Sequence, residues 1–163
     1  MKTYRAIDVA KRFMSLANAE GVAVSHMKLQ KLVFFAQLAA LKDFNGTPIH
    51  SNRTYAWDYG PVVHELYTAI RRFGANPIQM HDESGEDVFA SAVDIDDADA
   101  LAIIDSVWNH FKHWTAFQLS SLTHWKNSPW AVAYSHQRSS EIPLKLIQAN
   151  GFGEPWPEHS HWW

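Results

Sequence analysis

The chain contains no cysteine. That excludes a disulfide framework, a thiolate zinc site and a cysteine nucleophile, and it is compatible with a reducing compartment. Glycine is scarce, with seven in 163 residues. Neither the phosphate-cradling GxxxxGKS/T loop nor the GxGxxG dinucleotide loop occurs, and the GxSxG turn of serine hydrolases is missing too. There is no long hydrophobic run. The nearest, Leu32 to Leu41, is interrupted by Gln37 and reaches about half of the roughly 20 residues a membrane helix needs. No membrane anchor is expected. Residues Met1 to Asp8 are charged and lack an apolar stretch, so no secretory leader is expected either. The expectation is a soluble, cytoplasmic protein.

What is present is core material. Hydrophobic residues make up 47% and charged residues 19% of 163 residues, the balance of one folded domain. Aromatics reach 13%, with eight tryptophans, a surplus that can serve a partner as well as a core. The net charge of −3 is unevenly spread. Residues 1–80 hold ten Lys/Arg and five Asp/Glu, whereas residues 81–163 hold four and twelve. Such polarity either steers a charged partner or marks two halves that complement each other. It gives no support to general nucleic-acid binding, which needs a strongly basic patch.

The periodicities predict a mainly helical domain with a minor β element. Val9, Phe13, Leu16 and Ala17 define an amphipathic helix over 6–20, stopped by Gly21. Ser25 caps a second helix at about 26–44, apolar nearly all round, as central helices are. Arg53 to Trp57 reads as a short strand, and Tyr59-Gly60-Pro61 as a tight turn in which Gly60 takes a conformation hostile to side chains. Pro61 then opens a third helix, 62–73, with Asp58 placed to cap it. A hairpin is expected around Glu83 to Glu86. Asp94 to Asp99 is an acidic helix start, with a helix following through Lys112. Thr115 caps a helix to Leu122, Ser128-Pro129 starts another, and Pro143 to Asn150 forms the last. The domain is taken as residues 1–150, with 151–163 an irregular tail rich in Pro and Trp.

No constellation for catalysis stands out. Ten histidines invite a metal reading, with His110 and His113 three apart and His124 and His136 beyond. There is no HExxH and no carboxylate at ligand spacing, so a His-metal hydrolase is an alternative rather than the leading reading. No catalytic residue, metal or cofactor is assigned.

Three stretches carry unusual chemistry. In Met27-Lys28-Leu29-Gln30-Lys31-Leu32-Val33-Phe34-Phe35-Ala36-Gln37, Gln30 and Gln37 share a face of an apolar helix, as a structural bridge or as a recognition strip. Ala56-Trp57-Asp58-Tyr59-Gly60-Pro61-Val62-Val63, with Leu66-Tyr67, is a rigid aromatic turn. The third is Leu119-Ser120-Ser121-Leu122-Thr123-His124 with Pro129-Trp130. In order and spacing these three resemble the signature of the Panacea-domain family, also described as SocA-like or phage-associated GepA-like proteins, over about residues 5–150.

The resemblance implies a non-catalytic role. Members are antitoxins that neutralise a cognate toxin, often encoded by a neighbouring gene, by direct binding; at least one is a proteolytic adaptor that delivers its toxin to a bacterial protease. The signature residues Lys28, Leu29, Gln30, Lys31, Leu32, Gln37, Trp57, Tyr59, Gly60, Pro61, Leu122, Thr123, His124, Pro129 and Trp130 are then expected to define the fold. Toxin contact is expected elsewhere, on the acidic and aromatic second half and on the tail residues Trp156, Trp162 and Trp163.

Overall fold

A computed structural model describes residues 1–151. Its organising element is α2, His26–Asp43, in which every residue from Lys28 to Leu41 is buried. A helix apolar on all sides must be covered on all sides, and six elements do so: α1 (Ala6–Glu20), strand β2 (Gly60–Val63), α3 (His64–Ile70), α4 (Ala98–Phe111), α5 (Ala116–Leu122) and α7 (Leu144–Asn150). The remaining elements are strand β1 (Thr54–Trp57), α6 (Pro129–His136) and strand β3 (Glu141–Ile142). The mainly helical domain expected around a central helix near 26–44 is what forms.

Local chemistry sets the helix ends. The Ser25 hydroxyl accepts the Lys28 N–H, Asp97 that of Ala100, Thr115 that of Gln118 and Ser128 that of Ala131, each satisfying a donor the helix cannot use itself. Gly21 ends α1 at φ +66°. Phe35 of α2 stacks on Phe111 of α4 with ring centroids 4.7 Å apart, and Leu29, Leu32 and Ala36 are fully buried.

Two stretches depart from expectation. The stretch after Tyr59 does not start a helix: Gly60–Val63 is β2, antiparallel to β1, with Trp57 opposite Gly60 and Ala56 opposite Pro61. Strand order is β2-β1-β3, so Pro61 lies on an edge strand, where a missing N–H is tolerated, and the β-branched Val62 and Val63 suit a strand. The helix begins only at His64 and runs through a 3₁₀ turn, Arg71–Phe73, to Gly74. Asp58 accordingly caps nothing; its carboxylate accepts hydrogen bonds from Arg138 and from the Tyr134 hydroxyl. The hairpin expected at 83–86 is reduced to a single bridge, His81 to Asp87, its turn held by the Asp82 carboxylate.

The charge polarity closes on itself. Lys2 pairs with Asp96 (2.8 Å), Lys11 with Asp94 (2.9 Å), Arg12 with Asp105 (2.7 Å) and Arg72 with Asp82 (2.5 Å). Basic residues of the first half thus meet acidic residues of the second along the α1–α4 seam and the 72–82 loop. No helix among the described residues is long and apolar enough to cross a membrane.

Candidate functional site

The β1–β2 turn, the first two turns of α2 and Tyr67 of α3 enclose an open pocket of about 520 Å³, closed at one side by Arg138 and Ser139. The sequence prepares each wall. Gln30 cannot stay unpaired when buried, and it clamps the hairpin: its Oε1 accepts the Val63 N–H (2.9 Å) and its Nε2 donates to the Val63 carbonyl (3.1 Å). Gln37, two helical turns on, grips the 49–50 backbone in the same way, accepting from the Ile49 N–H (2.9 Å) and donating to the His50 carbonyl (3.1 Å). Both glutamines are structural bridges, not a recognition strip.

Gly60 explains the tightness of the turn. Its φ is +104°, and a Cβ there would sit 2.6 Å from Thr123 Oγ1 and 2.7 Å from Lys31 Cε. The turn is thereby pressed against α2 on one side and the end of α5 on the other. The Ser120 hydroxyl donates to the Tyr59 carbonyl (2.8 Å), the Thr123 hydroxyl to the Ser120 carbonyl (2.6 Å) and the Trp130 indole to the Trp57 carbonyl (2.7 Å). The His124 ring lies against Trp130 in a tilted contact, 3.7 Å between centroids. Pro129 opens α6, which presents Trp130, and Leu122 packs on the core. The structure therefore brings the second and third stretches together on the amino-terminal half of α2. Leu29 and Leu32 belong to the core, and Gln37 to its far end.

The electrostatics at this end are unusual. Lys31 is 1% exposed. Its Nζ donates to the Pro61 carbonyl at 3.0 Å, and among the described residues no carboxylate pairs with it. Burial lowers its pKa to about 7. Lys28 finds a better berth, donating to the Lys112 carbonyl (2.5 Å) at the carboxy-terminal, negative end of α4. His26 and His124 both have pKa values pushed down by burial and then by the Lys31 charge, and the buried Nε2 of His124 has no hydrogen-bond partner. Asp58, the carboxylate lining the pocket, is held low by its hydrogen bonds to Arg138.

The walls are aromatic. Trp57 packs edge-on against Tyr67 at 4.8 Å, and His26 lies 5.0 Å from the same ring. Tyr59, at the mouth, is 72% exposed; Phe117, one turn before Ser120 on α5, is 74% exposed. Sequence reasoning missed Phe117, Arg138 and Ser139. Arg138 is far from Asp58 in the chain and carries no local signal. His110, His113, His124 and His136 do not converge: among the described residues no group of three or more His, Asp or Glu could hold a metal ion. Trp156, Trp162 and Trp163 lie outside the described residues.

A family model described as antitoxin SocA-like, Panacea domain, matches residues 29–131. The matched span contains the hairpin, α5 and the first residues of α6, and leaves His26, Met27, Arg138 and Ser139 of the pocket outside it. No curated protein and no solved structure matches the chain.

Proposed function

From the premise that the chain belongs to the SocA-like, Panacea-domain antitoxin family, we propose that it neutralises a cognate protein toxin by direct contact through the face formed by the β1–β2 turn and α5. The observation that carries this is the pair Tyr59 and Phe117. They are the two most exposed large hydrophobic side chains among the described residues, and the Ser120–Tyr59 hydrogen bond ties their two elements together. Exposed aromatic side chains of this kind mark surfaces for protein recognition.

This moves the contact from where charge alone would put it. The acidic second half offers less free charge than its composition suggests, because Asp82, Asp94, Asp96 and Asp105 already hold cations of the first half. Electrostatic steering by that half is correspondingly weaker.

The test is co-expression with the protein of the neighbouring reading frame. A neighbour that kills alone and is harmless with this chain supports the class. Substituting Tyr59→Ala and Phe117→Ala together should leave the unfolding free energy within about 1 kcal/mol of wild type, as for exposed positions, and abolish rescue. Undiminished rescue by that variant would place the contact elsewhere; deletion of residues 153–163 then tests the tail bearing Trp156, Trp162 and Trp163.

A further inference from the structure

The pocket holds a charge the fold does not need. Gln30 and Gln37 hold the surrounding backbone with neutral amides, and a hydrocarbon side chain would fill the Lys31 position without the cost of burying a charge. Lys31 spends one of its three N–H donors on Pro61. His26 and His124, from two different segments, lie within range of its charge. Of these, Lys31 and His26 line the pocket, where the lining carboxylate, Asp58, is engaged by Arg138 and Tyr134. An incoming anion would supply the counter-charge that Lys31 lacks there. The rest of the wall is flat and apolar: Trp57, Tyr59, Tyr67, Met27 and Val62. The volume, about 520 Å³, is that of a small-molecule site.

We propose that this pocket binds a small molecule with a planar aromatic body and one oxyanion, carboxylate or phosphate, the ring lying among Trp57, Tyr59 and Tyr67 and the anion meeting Lys31. The inference goes beyond toxin neutralisation and does not rest on it. A ligand seated here lies beneath Tyr59, so it also provides a means of altering the mouth that a toxin would meet.

The experiment uses the purified full chain and calorimetric titration with indole-3-acetate and with adenosine 5′-monophosphate. Indole and adenosine serve as ring-only controls, and inorganic phosphate as the anion-only control. Binding of indole-3-acetate alone identifies the carboxylate source, and of the nucleotide alone the phosphate source; both binding also supports the site. The ring-only and anion-only compounds should bind at least about tenfold more weakly than the joined molecule, since each keeps only part of the contacts. The Lys31→Met variant should weaken binding about tenfold or more, the loss of a hydrogen bond to a charged group.

The wild type gives an independent reading through pH. The other titratable groups of the pocket wall are His26, Asp58, Arg138 and the phenols of Tyr59 and Tyr67, and His124 feels the Lys31 charge from outside that wall. The two imidazoles are held below their ordinary range, and Asp58 and Arg138 hold each other. Affinity for the probe that binds should therefore fall about tenfold or more from pH 7 to pH 9 as Lys31 loses its proton. Failure of both anionic probes to bind, ring-only controls that bind equally well, or affinity indifferent to both Lys31→Met and pH would each overturn the proposal. None of these outcomes touches the toxin reading, which is scored by rescue in cells.

Discussion

Charge is handled in opposite ways at two places in this molecule. Along the seam between α1 and α4, Lys11 and Arg12 reach across to Asp94 and Asp105 at 2.9 and 2.7 Å, with at least one partner of each pair well exposed. At the hairpin end of α2, Lys31 is buried in the pocket wall, with one carbonyl for company and no counter-ion among the described residues. Exposed pairs contribute little each, whereas an enclosed lone charge opposes folding until it loses its proton. The seam therefore guides register at small energetic consequence. The pocket is a place where the fold tolerates instability, and tolerated instability is characteristic of functional positions.

The comparison can be broken most forcefully at Gly60. Gly60→Val imposes φ +104° on a β-branched residue and drives its side chain into Thr123 and Lys31. A loss of about 3 kcal/mol or more is expected from strain and overpacking together. A thermal melt checks it; an unchanged midpoint would mean that the turn can move away from α2.

Lys31→Met should have the opposite sign. At pH 7 the variant should be more stable than wild type, by about 1–3 kcal/mol, because a poorly compensated polar group leaves the interior. The pH dependence follows from the proton count. The folded lysine has a pKa of about 7 against an ordinary 10.5, so the unfolded chain holds more protons between these values and wild-type stability rises with pH across that window. The advantage of the variant should therefore shrink from pH 7 toward pH 10, measured by denaturant unfolding of both proteins. A constant gap would show that the ammonium is not what opposes folding.

His50 sharpens the contrast from the closed end of α2. It is fully buried, with its pKa lowered to about 4 by that burial. The unfolded chain binds the extra proton as pH falls from 6.5 toward 4, so stability from this group is complete above 6.5 and lost across that range. His50→Gln should flatten the acid limb of a stability–pH profile; an unaltered limb would assign it to other groups. The smallest effect belongs to the seam. Arg12→Ala should lower stability by about 0.2–1 kcal/mol at low salt and by less at 1 M salt, measured by urea unfolding. A larger, salt-independent loss would mean the pair acts as buried.

Much of the fold was legible because its signals are local. Ser25, Thr115 and Ser128 announce helix starts by the hydrogen bond each side chain can make, and the run from Lys28 to Leu41 announces a central helix by being apolar on every face. The error at residues 62–73 has a definite cause. Pro61 suits a helix start and an edge strand equally well, and only pairing with β1 decides, a choice made by tertiary contact. The site was half legible. Trp57, Tyr59 and Gly60 stood out as odd chemistry and Lys31 only as a member of the signature, yet nothing in the chain places Arg138 beside Asp58 or turns Phe117 outward. Of the two readings of the charge polarity, complementary halves accounts for most of the ion pairs, but only the geometry could choose it.

The enclosure of α2 also has a consequence in time. Among its principal covers, α4 and α5 end at residues 111 and 122, 68 and 79 residues after α2 itself is complete. At synthesis rates of about 5–20 residues per second the longer interval is on the order of 4–16 seconds. Until then the nascent chain carries its most apolar segment incompletely covered, with α5 and α7 still unmade. Truncated products that stop between α3 and α5 are therefore the species most prone to aggregate or to be degraded, and the domain becomes competent to fold only after α5 has been made.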